Sequence, residues 1–312
     1  MNHRIDDDKA PRSSQPPSRT QLRLIDAAVE LDTVERTSPT YQHTVLCQTS
    51  LPYRRTAERN IERSNGHTHL RMEAGSAYNE AEGCWVDLAL PFGPKARLVL
   101  IHLNTAAILT QSHEIDVGDS MTSFFSRVLP DKYGQPRPLN GREVRAMKEQ
   151  VASLSAAEIR FALGTTQTQG KISVISSFDL WFPKAANQRV FWPSTVTLSL
   201  EYFRSLVDHA VPLDPAAVCA LSHSAMGLDI YAWLAQRLCR VHPKGAALVP
   251  WVSLHEQFGS NYRTIRKFRQ VFLRTLKSVQ LVYPKSEIQA SPKGLHLKLS
   301  PPPITRKKLL RG

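Results

Sequence analysis

YRTIRKFRQVFLRTLKSV, Tyr262–Val279, is the stretch whose reading decides the fold. Ile265, Phe268, Phe272, Leu276 and Val279 recur at spacings of 3, 4, 4 and 3, the period of a helix with one buried stripe. Arg263, Arg266, Lys267, Gln270, Arg274 and Lys277 cover much of the remaining surface. Just upstream, Ser253–Phe258 reads as a short helix and Gly259-Ser260 as a turn. A short helix, a glycine turn and a basic helix follow one another in helix-turn-helix order. In that arrangement the second helix enters the major groove of a duplex, and its N-terminal residues meet base edges. Arg263, Arg266 and Lys267 are therefore expected near bases, where Arg can bond guanine bidentately. Tyr262 and Gln270 complete the expected DNA-binding set on this helix. Arg269, Arg274 and Lys277 are expected to meet phosphate or solvent. The alternative is an ordinary solvated helix face.

Downstream, Leu281–Tyr283, Glu287–Ala290 and Leu295–Leu299 read as strands, with Ser291–Gly294 as the tip of a wing. Lys293 and Lys298 are expected phosphate contacts there. Upstream, Asp214-Pro215 opens one helix, and Leu228–Cys239 forms another with Ile230, Leu234 and Leu238 inward. A similar order occurs earlier in the chain. Pro94–Leu109 reads as a helix with Leu98, Ile101, Thr105 and Ile108 on one face. Glu114–Val117 reads as extended, and Asp119-Ser120 opens the helix Met121–Leu129. A Pro/Gly loop, Pro130–Pro138, follows. Asn140 and Glu143 then form a capping pair for a third helix, with Val144, Met147, Val151 and Leu154 inward. The strand-like runs Lys171–Phe178 and Val196–Leu200 come next. Three helices and then a β hairpin is the order of a winged helix. On the third helix Arg142, Arg145 and Lys148 could face DNA, although Glu143 and Glu149 dilute the field. A structural or dimerising role stays open for that helix.

The expected architecture is an α+β fold of two tandem winged-helix domains, 85–210 and 211–303. A largely disordered arm, 1–84, precedes them, and a basic tail, 304–312, follows. The Pro- and Ser/Arg-rich start of the arm buries little. One short amphipathic helix is expected there, with Leu22, Ile25, Ala28 and Val29 on one side.

Charge is uneven along the 312 residues, whose net charge is +13. Residues 1–84 hold 11 basic and 12 acidic side chains, residues 85–260 hold 16 and 14, and residues 261–312 hold 13 and 1. Such a localised field suits a polyanion, a duplex above all. It also suits a solvated tail or an acidic protein partner. No apolar run is long enough for a membrane helix. The polar start is not a signal peptide. Cys47, Cys84, Cys219 and Cys239 form no C-x-x-C pair, so free buried thiols in a reducing cytoplasm are expected.

No phosphate-binding loop of the form G-x-x-x-x-G-K-[ST] occurs, so no ATPase activity and no cofactor are expected. His67-Thr68-His69 and the nearby Tyr78 superficially match a metal-dependent nicking site, but the segment reads as unstructured and the pair as fortuitous. Cys219, His223, Cys239 and His242 lack zinc-ligand spacing. Ser222-His223-Ser224 is no nucleophile elbow. Asp229 reads as a structural or capping carboxylate. The chain is not expected to be an enzyme.

Several motifs in order carry a resemblance. They are Arg97-Leu98 through Thr110-Gln111-Ser112, EIDVGDSM (114–121) leading to Phe125, and the Arg142–Leu154 helix with Glu149-Gln150. VPLD (211–214), SAMGLDIYAWL (224–234), Gln257-Phe-Gly259 and FRQVF (268–272) follow. Tyr283-Pro284, GLHL (294–297) and Ser300-Pro-Pro302 close the series. Over Leu88–Pro303 the chain resembles the plasmid-encoded RepA replication initiators. The resemblance implies a bacterial winged-helix protein that binds repeated sites at a plasmid origin. It also implies opening of adjacent AT-rich DNA and recruitment of host replication proteins such as a helicase or initiator. Repression of its own promoter, with a homodimer repressing and the monomer initiating, is implied as well. The alternative is a winged-helix transcriptional regulator of a plasmid promoter.

Overall fold

Thr68, Leu70 and Met72 are buried while His69 and Arg71 are exposed, and that alternation makes a half-buried strand out of a charged stretch. The structure, a computed structural model, describes residues 22, 24, 38–79, 82–118, 120–131, 135–163, 174–177 and 195–304. Much of the expected disordered arm is folded. It contains β1 (Thr40–His43), α1 (Thr44–Gln48), β2 (Asn60–Asn65), β3 (Thr68–Glu73) and β4 (Ser76–Asn79), with β5 (Cys84–Asp87) completing a hairpin. Tyr41, Val45, Cys47, Leu51, Ile61, Leu70 and Met72 join the main core. This corrects the reading of the arm over residues 38–84; residues 1–37 lie, but for 22 and 24, outside the described residues. Glu62, Arg71 and Glu73 occupy outward strand positions, so composition concealed the inward ones, Ile61, Leu70 and Met72. The short amphipathic helix expected near the start falls mostly outside the described residues. Leu22 is helical and exposed, Leu24 is buried, and Ile25, Ala28 and Val29 are not described.

The next section winds around a central helix, α2 (Gly93–Thr110). Pro94 sits in its first turn, where the missing N–H costs nothing. Gln111, with φ of 53°, ends it in the left-handed region. β6 (Glu114–Asp116) leads to α3 (Met121–Val128), capped by Ser120. α4 (Gly141–Ala156) carries the expected capping box, both Asn140–Glu143 bonds being formed. β7 (Glu158–Leu163) was not anticipated; it completes the antiparallel sheet β2-β3-β7. β8 (Ile175–Ser177) and β9 (Thr195–Leu198) pair antiparallel in a second sheet, β6-β9-β8. The ends of the expected run at Lys171 and Phe178 lie outside the described residues. The second run stops at Leu198, because the Ser199 side chain caps an unexpected helix, α5 (Leu200–His209).

β10 (Ala210–Leu213) pairs antiparallel with β1. This strand straddles the expected boundary at 210/211, and its partner lies in the expected arm. α6 (Pro215–Leu221) is capped by Asp214, and α7 (Ala225–Arg237) by Ser224. β11 (Ala247–Pro250), α8 (Trp251–Phe258), α9 (Ile265–Val282), β12 (Ile288–Ala290) and β13 (Gly294–Leu297) finish the described chain. The last three strands form the antiparallel sheet β11-β13-β12. Leu281–Tyr283 is not a strand as expected. α9 runs on to Val282, which is buried one turn beyond Val279. The result is a mixed α/β fold of helices and small antiparallel sheets.

A buried ion pair ties α2 to α7. Arg97 on α2 donates from Nε and Nη2 to Asp229 on α7, at 2.6 and 2.7 Å. The same guanidinium reaches the carbonyls of Leu51, Pro52 and Gly93. Asp229 is thus structural, as expected, but it is not a cap. Farther out, Gln257 beside the α8 terminus donates to the Gln48 carbonyl, and Ser50 donates to the Gln257 carbonyl.

Candidate nucleic-acid interface

The basic helix forms where the periodicity placed it, with two adjustments. Thr264 is the N-cap, its hydroxyl accepting from the Lys267 N–H, so Tyr262 and Arg263 lie in the turn before α9. Ile265 is 39% exposed rather than part of the buried stripe. The stripe itself is Phe268, Phe272, Leu276, Val279 and Val282. Phe272 sits at its centre, with ring centroids 5.3 Å from Phe268, 5.7 Å from Phe258 and 6.0 Å from Trp251. These aromatic contacts fix the rotation of α9 about its axis, and with it the direction its outer face points.

That outer face is cationic. Arg263, Arg266, Lys267, Gln270, Arg274 and Lys277 are all exposed. None of these five cations is in an ion pair among the described residues. Lys267 Nζ donates to Gln270 Oε1 at 3.3 Å, the one side-chain bond within the group. A row of cations without counter-charges leaves a strong positive field at the surface.

The turn that launches α9 is tightly built. Gly259 N–H donates to the His255 carbonyl, and Tyr262 N–H to the Gly259 carbonyl, at 2.7 and 2.8 Å. His255 Nε2 donates to the Tyr262 carbonyl at 2.9 Å. A Cβ at position 259 would stand 2.6 Å from the His255 carbonyl oxygen, so the close approach requires glycine. The sequence marked this glycine but gave no sign of the His255 bond.

The β12–β13 hairpin supplies one further unpaired cation. Lys293 is exposed at its tip. Lys298 instead faces Glu287, Nζ to Oε2 3.8 Å, on an open surface where such a pair contributes little. On α4, Arg142, Arg145 and Lys148 are exposed and unpaired among the described residues. The acids expected to dilute their field are held by other arginines. Glu143 accepts from Arg137 at 2.6 and 3.0 Å, and Glu149 from Arg55 at 3.2 Å. Hydrogen bonding from Arg137 holds the Glu143 carboxyl below the usual carboxylate range.

Other expectations resolve differently. Of the four thiols only Cys47 is buried, and burial pushes it well up; Cys219 is half-buried, and Cys84 and Cys239 are exposed. Among the described residues no group of three or more His, Cys, Asp or Glu side chains could hold a metal ion. His67 and His69 stand at the β2–β3 turn, on a folded strand pair rather than an unstructured segment. Among the described residues no helix is long and apolar enough to cross a membrane.

With this geometry in view, comparison with known proteins places the chain. The family described as plasmid encoded RepA protein matches residues 90–252, just over half of the 312 residues. The chain belongs to the plasmid-encoded RepA family of replication initiators. The RepA match runs from the approach to α2 into the start of α8 and ends before α9. The motifs Gln257-Phe-Gly259, FRQVF, GLHL and Ser300-Pro-Pro302 therefore lie beyond it, and the basic helix stands on its own chemistry. A solved structure described as "Crystal structure of SeMet derivatives of domain2 and domain 3 of RctB" aligns over 89% of this chain and 98% of that one, at 10% identity and a TM-score of 0.45. Nothing about fold or function transfers at that level of likeness. No curated protein matches.

Proposed function

We propose that this RepA-family chain binds double-stranded DNA through a winged-helix module built from α8, the Gly259 turn, α9 and the β12–β13 hairpin. The supporting observation is the α9 face, where Arg266, Lys267, Arg274 and Lys277 are exposed and unpaired opposite a fully packed aromatic stripe. α9 lies in the major groove with Arg263, Arg266 and Lys267 near base edges. Arg274 and Lys277 meet phosphate, as does Lys293 from the hairpin. α4, with Arg142, Arg145 and Lys148, is the corresponding helix of a first module, and it adds a second, weaker contact. The sites are repeats at a plasmid origin. Binding them promotes local opening and brings in host replication proteins, a helicase or initiator among them. The chain works in the bacterial cytoplasm by binding alone, without catalysis or cofactor of its own.

The test is affinity for the plasmid segment flanking the gene, measured by fluorescence anisotropy against salt. The three phosphate contacts of this module, Arg274, Lys277 and Lys293, would cost about 40-fold in affinity between 50 and 200 mM salt. A steep linear fall of log K with log salt is expected. A flat dependence would overturn the duplex-gripping face.

A further inference from the structure

Arg269 does not behave like the other cations of α9. It is half-buried, whereas Arg266, Lys267, Arg274 and Lys277 are exposed. Its guanidinium carbon lies 5.0 Å from the centroid of the Trp251 ring at the start of α8. Trp251 is itself buried and set edge-on to Phe272. From this anchored position its indole Nε1 donates to the Ser291 carbonyl at 2.9 Å, and its backbone N–H donates to the Lys293 carbonyl at 3.3 Å. Arg269 Nη2 approaches the same Ser291 carbonyl at 3.5 Å. The hairpin tip is closed internally by Ser291 N–H donating to the Gly294 carbonyl at 2.8 Å. Its close approach to β11 requires glycine at 294, since a Cβ there would stand 2.1 Å from the Val249 carbonyl oxygen.

We propose that Arg269 is a positioning residue: stacked on Trp251, it latches the tip of the β12–β13 hairpin and so sets where Lys293 stands relative to the exposed face of α9. The proposal rests on the duplex-binding reading above, and it takes Arg269 out of the phosphate-contacting set. The chemistry favours arginine here. A planar guanidinium can lie on an indole ring and still aim an N–H at a carbonyl, while a lysine ammonium offers charge without that shape. The partner of the latch is the protein's own wing, so its effect on DNA passes through Lys293.

Two measurements on the full chain separate this from a direct DNA contact. In the first, affinity for the flanking plasmid fragment is compared at one salt concentration for R269A, R269K, K293A and R269A/K293A. R269A is expected to weaken binding by about three- to tenfold, and R269K to about the same extent despite keeping its charge. Added to K293A, the R269A change costs less than about twofold more. Full affinity in R269K, multiplied losses in the double variant, or wild-type affinity in R269A would each overturn the latch. The second measurement needs no DNA. Amide hydrogen exchange at Ser291 and Gly294 is expected to speed up in R269A and R269K and in W251F, which lacks the indole donor, but not in K293A. Unchanged exchange in R269A and R269K overturns the latch, whatever W251F shows. If the wild-type chain binds no duplex while exchange still quickens, the duplex reading fails and the latch stands.

Discussion

Replacing Asp229 by Asn removes one charge from a buried pair and leaves the other in place. The side chains of Arg97 and Asp229 are 3% and 8% exposed, so water cannot take over the lost partner. Breaking such a pair on one side costs about 3–5 kcal/mol. Arg97 keeps its bonds to the carbonyls of Leu51, Pro52 and Gly93, which puts the loss toward the lower end, about 3 kcal/mol. At roughly 2–4 °C per kcal/mol, the melting midpoint should fall by about 6–12 °C. Calorimetry and urea titration of Asp229→Asn measure this directly. The double change Arg97→Met/Asp229→Leu removes both charges and should recover most of the loss, because the cost lies in the orphaned charge. Asp229→Asn within about 0.5 kcal/mol of wild type would refute the reasoning. So would a double variant less stable than the single one.

Three further outcomes follow from the same geometry. His43 is buried and His102 half-buried, and desolvation pushes them down to about 3 and about 4, the former helped by His209 and the latter by Arg127. Their folded values lie below the unfolded value of about 6.5, so the unfolded chain takes up the extra protons as pH falls. Stability from these two is therefore full above about pH 6.5 and drops by about 2 kcal/mol per histidine at pH 5. Urea midpoints at pH 7.5 and pH 5 check this, and imidazole signals already titrated at pH 5 in the folded protein would contradict it. Phe272→Ala empties the centre of the aromatic stripe and should cost about 3–5 kcal/mol, read by urea unfolding. Arg266→Ala should weaken specific binding by about 1–3 kcal/mol if the side chain meets a base, with a smaller loss on scrambled DNA. Equal affinity of variant and wild type at matched salt rules that placement out.

What the sequence disclosed was local. The buried stripe of α9, the Asn140–Glu143 capping box and the Gly259 turn are each written within a few consecutive residues, where periodicity and capping rules apply. Pairings across the chain were hidden. β1 meets β10 some 173 residues away, as the Thr40–Leu213 bond shows, and no local pattern announces that partner. The segment from Thr40 to Cys84 reads as unstructured because Glu62, Arg71 and Glu73, on outward strand positions, mask a thin apolar register of Ile61, Leu70 and Met72. α5 was concealed behind the apolar run that ends β9. Among the site residues, the sequence groups Arg269 with Arg274 and Lys277 as cations facing phosphate or solvent. The inward stacking of Arg269 depends on where Trp251 lies in space, and the Lys298–Glu287 pair depends on the sheet register.

Footprinting of the full chain on the plasmid segment that flanks its gene tests the central claim most directly. The account predicts several protected stretches of similar length in direct repeat, all weakened together when Arg266, Arg274 and Lys277 are changed to alanine. A single palindromic footprint over the promoter would contradict the origin-binding account and favour a regulator. Protection unchanged by the triple substitution would contradict the placement of α9 on the duplex.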